Sequence, residues 1–501
     1  MNLLTLVGAL PLVGAALIYL IPTKDSELVK KFALLVTSLV AIAAIFLAVG
    51  FDKSITSLQY AQSYSWIPTL NINFALGIDG ISLVLILLST ILVPIVILAT
   101  WNESEGGRWS VKTFYVLILI LETMMVGVFA ASDLFLFYVF FEAMLIPVYF
   151  LIGGYGTGNR SAAAVKFLLY SLFGGLLMLA SVIGLYVIAG NQIGSTFDLT
   201  QLATLEIDNQ TENFLFLGFF IAFAIKAPLW PFHTWLPDAA KSATPGTSVL
   251  LLGVLDKVGT YGMIRFCLAL FPDASKTFTP LIITLSVISI IYGAFMAIGQ
   301  KDIKGLIAFT SISHFGFITM GIFAMTSQGM SGANLYMVNH GFSTAALFLV
   351  AGWMMSRRNS STISDFGGLQ RVTPVMAWSF FIAGMSGLAL PGLSSFVSEF
   401  LVLVGTYTRY PVAAIIGTLG IVLAALYILI PIQKTLHGPI TEGNENMKDL
   451  NLREKISIAP VIAIIVVMGF YPKPVLDLIN PISAKVVVDA GYSDPIAEVN
   501  K

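Results

Sequence analysis

The chain is a succession of apolar runs, each long enough to cross a bilayer. A hydrocarbon core is spanned by roughly 20 apolar residues in a helix. Fourteen such runs are readable, near 3–22, 32–50, 80–100, 111–131, 134–153, 162–189, 213–236, 245–271, 277–299, 303–326, 332–355, 373–404, 410–433 and 455–472. No soluble domain fits between them; the longest polar stretches are 51–78, 190–212 and 434–454. The chain is 57% hydrophobic and 11% charged, against about 25% charged in a soluble protein. Lipid can solvate that much apolar surface, and a soluble core cannot use it. The expected fold class is all-α, a polytopic membrane protein of about 14 transmembrane helices.

Other features exclude more than they propose. Net charge is −1 with no basic block, so nothing points to nucleic acid. One cysteine, Cys267, excludes a disulfide framework and a cysteine-ligated iron–sulfur cluster within the chain. The start Met1-Asn2-Leu3-Leu4 carries no basic residue, so 3–22 reads as a retained helix. Gly154-Tyr155-Gly156-Thr157-Gly158 follows a membrane run rather than a strand and fails as a dinucleotide motif. The four histidines, His233, His314, His340 and His437, have no metal-ligand spacing.

Loop charge sets the expected orientation. Fifteen Lys and Arg, from Lys24 to Lys455, fall on one side; six fall on the other, namely Lys53, Lys276, Arg409, Lys473, Lys485 and Lys501. The richer side is inside, so both termini are expected outside. Two runs look broken, one by Pro228 and Pro231 after Lys226, the other by Pro391-Gly392 and two serines. Such breaks survive at membrane depth only inside protein or beside water. They lie about five helices apart, and an odd separation inverts topology. The expected organisation is 1–110 (helices 1–3), 111–271 (helices 4–8), 272–433 (helices 9–13, an inverted repeat of the preceding five) and 434–501 (loop, last helix and tail), with helices 7 and 12 broken.

Inside these runs lie ionisable residues, each costing about 3 kcal/mol or more at mid-bilayer. They are Glu122, Glu142, Lys226, Lys257, His314, His340 and Glu399, with Lys304 near one membrane boundary. Burial draws a lysine and a glutamate toward neutrality from opposite sides, where protons can be taken and released. A Glu beside a Lys adds a charge switch. A proton path is the functional reading. Static pairing is its bland rival: satisfied core histidines for His314 and His340, an interfacial position for Lys304, a single interhelical hydrogen bond for Glu122. Asp256 cannot face the adjacent Lys257 on a helix and is expected to meet another element. Lys166 shares a face with Tyr170 and has snorkelling as an alternative; Arg265, near a run's end, is expected to snorkel.

At these residues the sequence resembles the antiporter-like membrane subunits of respiratory complex I, the NADH:quinone oxidoreductase, most closely the M-type branch. The resemblance rests on Phe141-Glu142-Ala143-Met144-Leu145-Ile146-Pro147, on Ala224-Ile225-Lys226-Ala227-Pro228 with His233-Thr234-Trp235-Leu236-Pro237-Asp238-Ala239, on Asp302 through His314, and on Leu390-Pro391-Gly392 through Ser398-Glu399-Phe400. Leu76 through Ser82 also fits. It implies fourteen helices in two inverted repeats around a hydrophilic axis. Glu142 would partner Lys226, Lys257 would be the connecting lysine, His314 and His340 would lie mid-membrane, and Glu399 would end the second half-channel. Glu122 would be the family's helix-4 glutamate. A glutamate at position 399, where related subunits commonly carry lysine, favours the M-type. One departure is Ala240, where the family usually has histidine.

The resemblance further implies a subunit of a proton-pumping translocase with no redox centre or cofactor of its own. Flavin, iron–sulfur clusters and quinone would belong to partner chains. The partners would be other membrane-arm subunits, including other antiporter-like chains, and the bilayer would be the bacterial plasma membrane. The rivals are a subunit of a multi-chain Na+/H+ antiporter, a structural scaffold that does not pump, and a small-solute carrier, for which no organic-substrate site is readable.

Overall fold

A computed structural model describes residues 2–22 and 25–495. Lys24 and Lys501, counted above for orientation, lie outside the described residues, as do Met1 and the end of the C-terminal segment.

The chain opens with α1 (Leu3–Ile18) and α2 (Ser26–Val49). The polar stretch 51–78 is not simply loop. It holds an antiparallel hairpin of β1 (Gln59–Ile67) and β2 (Ile72–Ile78), a small addition to a predominantly helical fold. Ser63 pairs with Ala75 and Ser65 with Asn73. The strands are rich in aromatic and β-branched residues, which suit a pleated surface, and Asn71 turns the chain at φ +52°. Asp79 then caps α3 (Gly80–Ala99), accepting from Ser82 N at 3.0 Å.

The next elements are α4 (Val111–Ala130), α5 (Leu134–Ala143) and α6 (Leu145–Tyr155), the last two forming one span interrupted at Met144. They are followed by α7 (Arg160–Gln192), the short α8 (Leu199–Leu202), and α9 (Asn209–Lys226), which stops at the first predicted break. Beyond it lie α10 (Trp235–Ser242), α11 (Pro245–Leu250) and α12 (Lys257–Gly262). The π-helical turn Leu251–Leu255 joins α11 to α12 and a second, Met263–Leu268, follows α12, giving one buried span over Pro245–Leu268.

The second half runs α13 (Pro272–Ile298), α14 (Ile303–Phe323), α15 (Ser327–Arg358), α16 (Leu369–Val372), α17 (Pro374–Gly387), α18 (Ser394–Tyr407) and α19 (Pro411–Leu436). It is followed by α20 (Leu452–Phe470) and α21 (Lys473–Asp489), bent 66° from each other. α21 was not among the predicted runs. Each of the fourteen runs contains helix. Ten helices among the described residues are long and apolar enough to cross a membrane, with shorter apolar helices at α1, α17 and α18.

Burial sorts the helices by solvent. α2, α7 and α19 expose Leu, Ile, Val and Phe along one face, as lipid contact requires. The spans Pro245–Leu268, α14 and α15 are buried among other helices and are less apolar than the outer ones. Helices that face protein rather than lipid can carry polar groups, and three of the predicted residues sit mid-span on them: Lys257, His314 and His340. Lys304 lies at the start of α14.

Both breaks are hydrogen-bonded into the protein, although Pro231 at the first and Leu390 and Pro391 at the second are exposed. At the first, Trp235 Nε1 donates to the Ile225 carbonyl at 2.9 Å, and Trp230 N donates to Ser289 Oγ at 2.8 Å. Gly259 allows α12 to press on this turn, since a Cβ there would stand 2.5 Å from Ala227 N and Phe223 O. At the second, Ala389 takes φ +59° and Gly392 φ +91°. Asn339 Nδ2 donates to the Ser394 carbonyl at 2.6 Å, and Ser343 and Ser386 hydroxyls meet at 2.6 Å. Backbone groups at both breaks thus find polar side-chain partners.

A candidate proton path through the core

Glu142 lies one residue before the end of α5 and is half-buried. Its Oε1 lies where a Cβ on Gly175 would be, so α7 makes room for it with glycine. Lys226 ends α9 and is buried. Its ammonium has no hydrogen-bond partner and lies 4.8 Å from the Phe141 ring centroid, a cation–π contact. Glu142 and Lys226 are electrostatic neighbours, yet they form no ion pair within 4 Å among the described residues. The pair is open.

Asp256 is the residue the sequence reading undervalued. Both its carboxylate oxygens are buried without a hydrogen-bond partner, and it interacts electrostatically with Lys226 and Lys257. It meets another element, as expected, and that element ends in Lys226. The signal in the sequence was a buried acid flanked by apolar residues; adjacency to Lys257 concealed it.

Lys257 follows the π-turn Leu251–Leu255. That wider turn releases the Leu252 carbonyl, and the Lys257 ammonium donates to it. The same ammonium lies 2.8 Å from His340 Nδ1. On its other side, His340 Nε2 is 3.2 Å from both Ser311 Oγ and Thr344 Oγ1. The His340 and His314 ring centroids are 5.4 Å apart, with the rings tilted by 59°. His314 Nδ1 lies 2.5 Å from Tyr336 Oη, which donates to Glu399 Oε2 at 3.2 Å. Tyr336 was missed. A tyrosine in an apolar run carries no charge to mark it, and only the fold brings it between His314 and Glu399.

Five of the predicted residues therefore form two groups. Lys226 and Lys257 flank Asp256; Lys257 continues through His340 and His314 to Glu399. Glu142 adjoins Lys226 as its open partner. Lys304 stands apart from this series. It is buried and donates to the Ala243 carbonyl at 2.9 Å, near Glu103 and Asp302. Glu122 is fully buried on α4, with no hydrogen-bond partner for either oxygen, and joins neither group.

Arg265 does not snorkel. Its guanidinium pairs with the buried Asp79 carboxylate at 2.8 Å, donates to Tyr261 Oη at 3.1 Å and to Ser82 Oγ at 3.2 Å. A buried acid across the fold outcompetes the membrane surface. Lys166 is likewise engaged, with Asp238 at 2.7 Å and the Thr234 carbonyl at 2.9 Å, and Tyr170 meets the Thr234 hydroxyl at 2.8 Å. Ala240 is buried in α10, and its carbonyl accepts from Ser248 Oγ at 3.2 Å. Among the described residues no cluster of three His, Cys, Asp or Glu is suited to a metal ion.

Comparison with known proteins bears on this arrangement. Residues 131–424 match the family described as NADH:quinone oxidoreductase/Mrp antiporter, TM, and residues 17–128 match NADH-ubiquinone oxidoreductase chain 4, amino terminus. NADH-quinone oxidoreductase subunit M of Mycobacterium tuberculosis is 49% identical, over 99% of this chain and 96% of its own. NADH-ubiquinone oxidoreductase chain 4 of Arabidopsis thaliana is 39% identical over 94% of each. A chain of respiratory complex I from Thermus thermophilus superposes with TM-score 0.89 at 31% identity, over 98% of this chain and all of that one. The Mrp complex from a Dietzia species gives TM-score 0.86 at 20% identity, over 97% and 98%, which shows a shared fold. The chain belongs to the family of NADH-quinone oxidoreductase subunit M, also called chain 4, a membrane protein of antiporter-like fold.

Proposed function

We propose that this chain translocates protons in the membrane arm of an NADH:quinone oxidoreductase. The observation that carries the reading is the buried series Lys257–His340, His314–Tyr336–Glu399, in which each named pair is within hydrogen-bond reach. Five ionisable or hydroxylic side chains in one protein-enclosed line are costly to bury. A chain of groups able to accept and donate the same proton gives that cost a use.

In this reading electrons pass from NADH to quinone in partner chains, which hold the flavin and iron–sulfur clusters. That event closes or opens the Glu142–Lys226 pair. When Glu142 approaches, Lys226 holds its proton; when Glu142 withdraws, the proton leaves. Asp256, an electrostatic neighbour of both lysines, is placed to accept it on the way to Lys257. His340 takes the proton through Nδ1 and releases it through Nε2. His314, Tyr336 and Glu399 carry it onward to the outer side. Tyr336 acts by accepting from His314 while donating to Glu399.

The architecture we propose around this path has fourteen crossings, both termini outside, and inverted repeats at 111–271 and 272–433. The membrane is the bacterial plasma membrane, and the neighbours are other membrane-arm subunits. Glu122 and Lys304 are proposed as proton-handling residues outside the central series. Replacing Lys226 by Ala and measuring proton uptake into vesicles tests the reading. Pumping is expected to fall while the assembled complex still oxidises NADH with an artificial acceptor; unchanged pumping by assembled enzyme would sink it. The scaffold alternative makes the opposite forecast, full stoichiometry with Glu142→Gln.

A further inference from the structure

Two lysines at one end of the helical bundle stand over an apolar groove. α13 and α19 pack side by side. Their ends and the turn Ile363–Asp365 bound a cavity of about 350 Å³. Gln300, Lys301, Ser364 and Lys434 line the end near the loops. Ile298, Leu426 and Ile430 line the part that runs toward the membrane interior. Lys434 follows Leu426 by two turns on α19, or about 12 Å of helix. The groove therefore has a cationic rim and an apolar floor.

Two further observations narrow the ligand. First, the rim charge is uncompensated. No carboxylate lines the cavity, and neither lysine side chain has a hydrogen bond or ion pair among the described residues. The nearby acids are engaged elsewhere: Asp302 caps α14 and bonds Ser361, and Asp365 accepts from Ser360 at 2.5 Å. Second, the floor opens outward. Ile298, Leu426 and Ile430 are partly exposed, and Leu419 and Val422 extend the exposed apolar face along α19.

An occupant must bring negative charge to the rim and a narrow apolar body to the floor. Basic pockets between membrane helices at the cytoplasmic boundary take anionic lipid headgroups, each lysine near the surface contributing about 1 kcal/mol. We propose that this groove binds an anionic phospholipid, with its phosphate on Lys301 and Lys434 and an acyl chain along Ile298, Leu426 and Ile430. Under the orientation proposed above, it is a lipid of the cytoplasmic leaflet. None of these residues belongs to the proton path, so the binding is independent of that function.

The test uses the whole assembled complex. It is stripped of native lipid in detergent and given phosphatidylglycerol carrying a photoreactive acyl chain, then digested and mapped by mass spectrometry. Labelling is expected on α13 and α19, and weaker with the phosphatidylcholine analogue. K301Q/K434Q is expected to lower it by roughly tenfold or more, the effect of two lost lysines. K301R/K434R is expected to keep it. Equal labelling in K301Q/K434Q, equal labelling by phosphatidylcholine, or no labelling of these helices overturns the proposal. So does displacement by excess inorganic phosphate, which would make the site one for a free anion.

Discussion

The Tyr336 hydroxyl donates to Glu399 Oε2 at 3.2 Å, across the interface of α15 and α18. The same oxygen lies 2.5 Å from His314 Nδ1. Removing it leaves two ionisable groups with no bridge between them. Tyr336→Phe keeps the ring, its volume and its packing against Phe317. Proton pumping is expected to fall by roughly tenfold or more, the scale of losing a positioned proton-transfer group. NADH oxidation by an artificial acceptor should be unchanged, because the complex still assembles. If pumping persists at the parent level, the proton does not use this bridge.

Asp256 gives a second prediction. Its two unpartnered oxygens interact electrostatically with Lys226 on α9 and with Lys257 on its own span. Asp256→Asn removes the charge at nearly constant shape. Pumping in vesicles is expected to drop several-fold, and Asp256→Glu is expected to restore part of it. A structural role would make both variants assemble poorly, whereas a proton-handling role lets both assemble and separates them by pumping alone.

These two residues also show where sequence reading stops. The apolar runs were legible because lipid demands them, and Lys226, Lys257 and Glu399 were legible because a charge in such a run is conspicuous. Tyr336 and Glu399 are 63 residues apart, and a tyrosine bears no mark of its partner. The open separation of Glu142 and Lys226 is a matter of ångströms, which residue spacing does not encode. The π-turn that frees the Leu252 carbonyl leaves no helical-period signal. The hairpin at Gln59–Ile67 and Ile72–Ile78 lay in a polar stretch, where the search for apolar runs returns nothing. Arg265 looked like a snorkelling residue because its partner, Asp79, is distant in the chain.

That Arg265–Asp79 pair makes a stability prediction. Asp79 is nearly inaccessible, while Arg265 keeps about a fifth of its side-chain surface. Breaking a buried pair strands the remaining charge. Asp79→Asn retains the cap on Ser82 N, so the change isolates the ion pair. The variant is expected to lose about 3 kcal/mol, at the lower end for a buried pair because Arg265 is partly solvated. Thermal melting of the detergent-solubilised protein measures it. A melting temperature equal to the parent's would show that water or Tyr261 already compensates the guanidinium.

Glu103 supplies the pH dependence. It lies in the loop between α3 and α4, outside the spans, and its Oε2 accepts from Gly246 N at 2.9 Å. Burial pushes this carboxyl up to about 7, against the opposing pull of the Gly246 N–H, the Thr244 hydroxyl and the Lys304 ammonium. The folded state thus holds a proton that the unfolded chain releases near 4.5. Glu103 consequently disfavours folding as pH rises from about 4.5 through 7, and its contribution is most favourable below that window. Glu103→Gln keeps an acceptor for Gly246 N without the titration. Parent and variant should melt alike near pH 5. By pH 8 the parent should be the less stable, by on the order of 2 kcal/mol once screening at a loop is allowed for. Of the lysines, Lys304 interacts electrostatically with Glu103. If Lys304 stabilises the Glu103 carboxylate more than burial opposes it, the order at pH 8 reverses and the variant melts first.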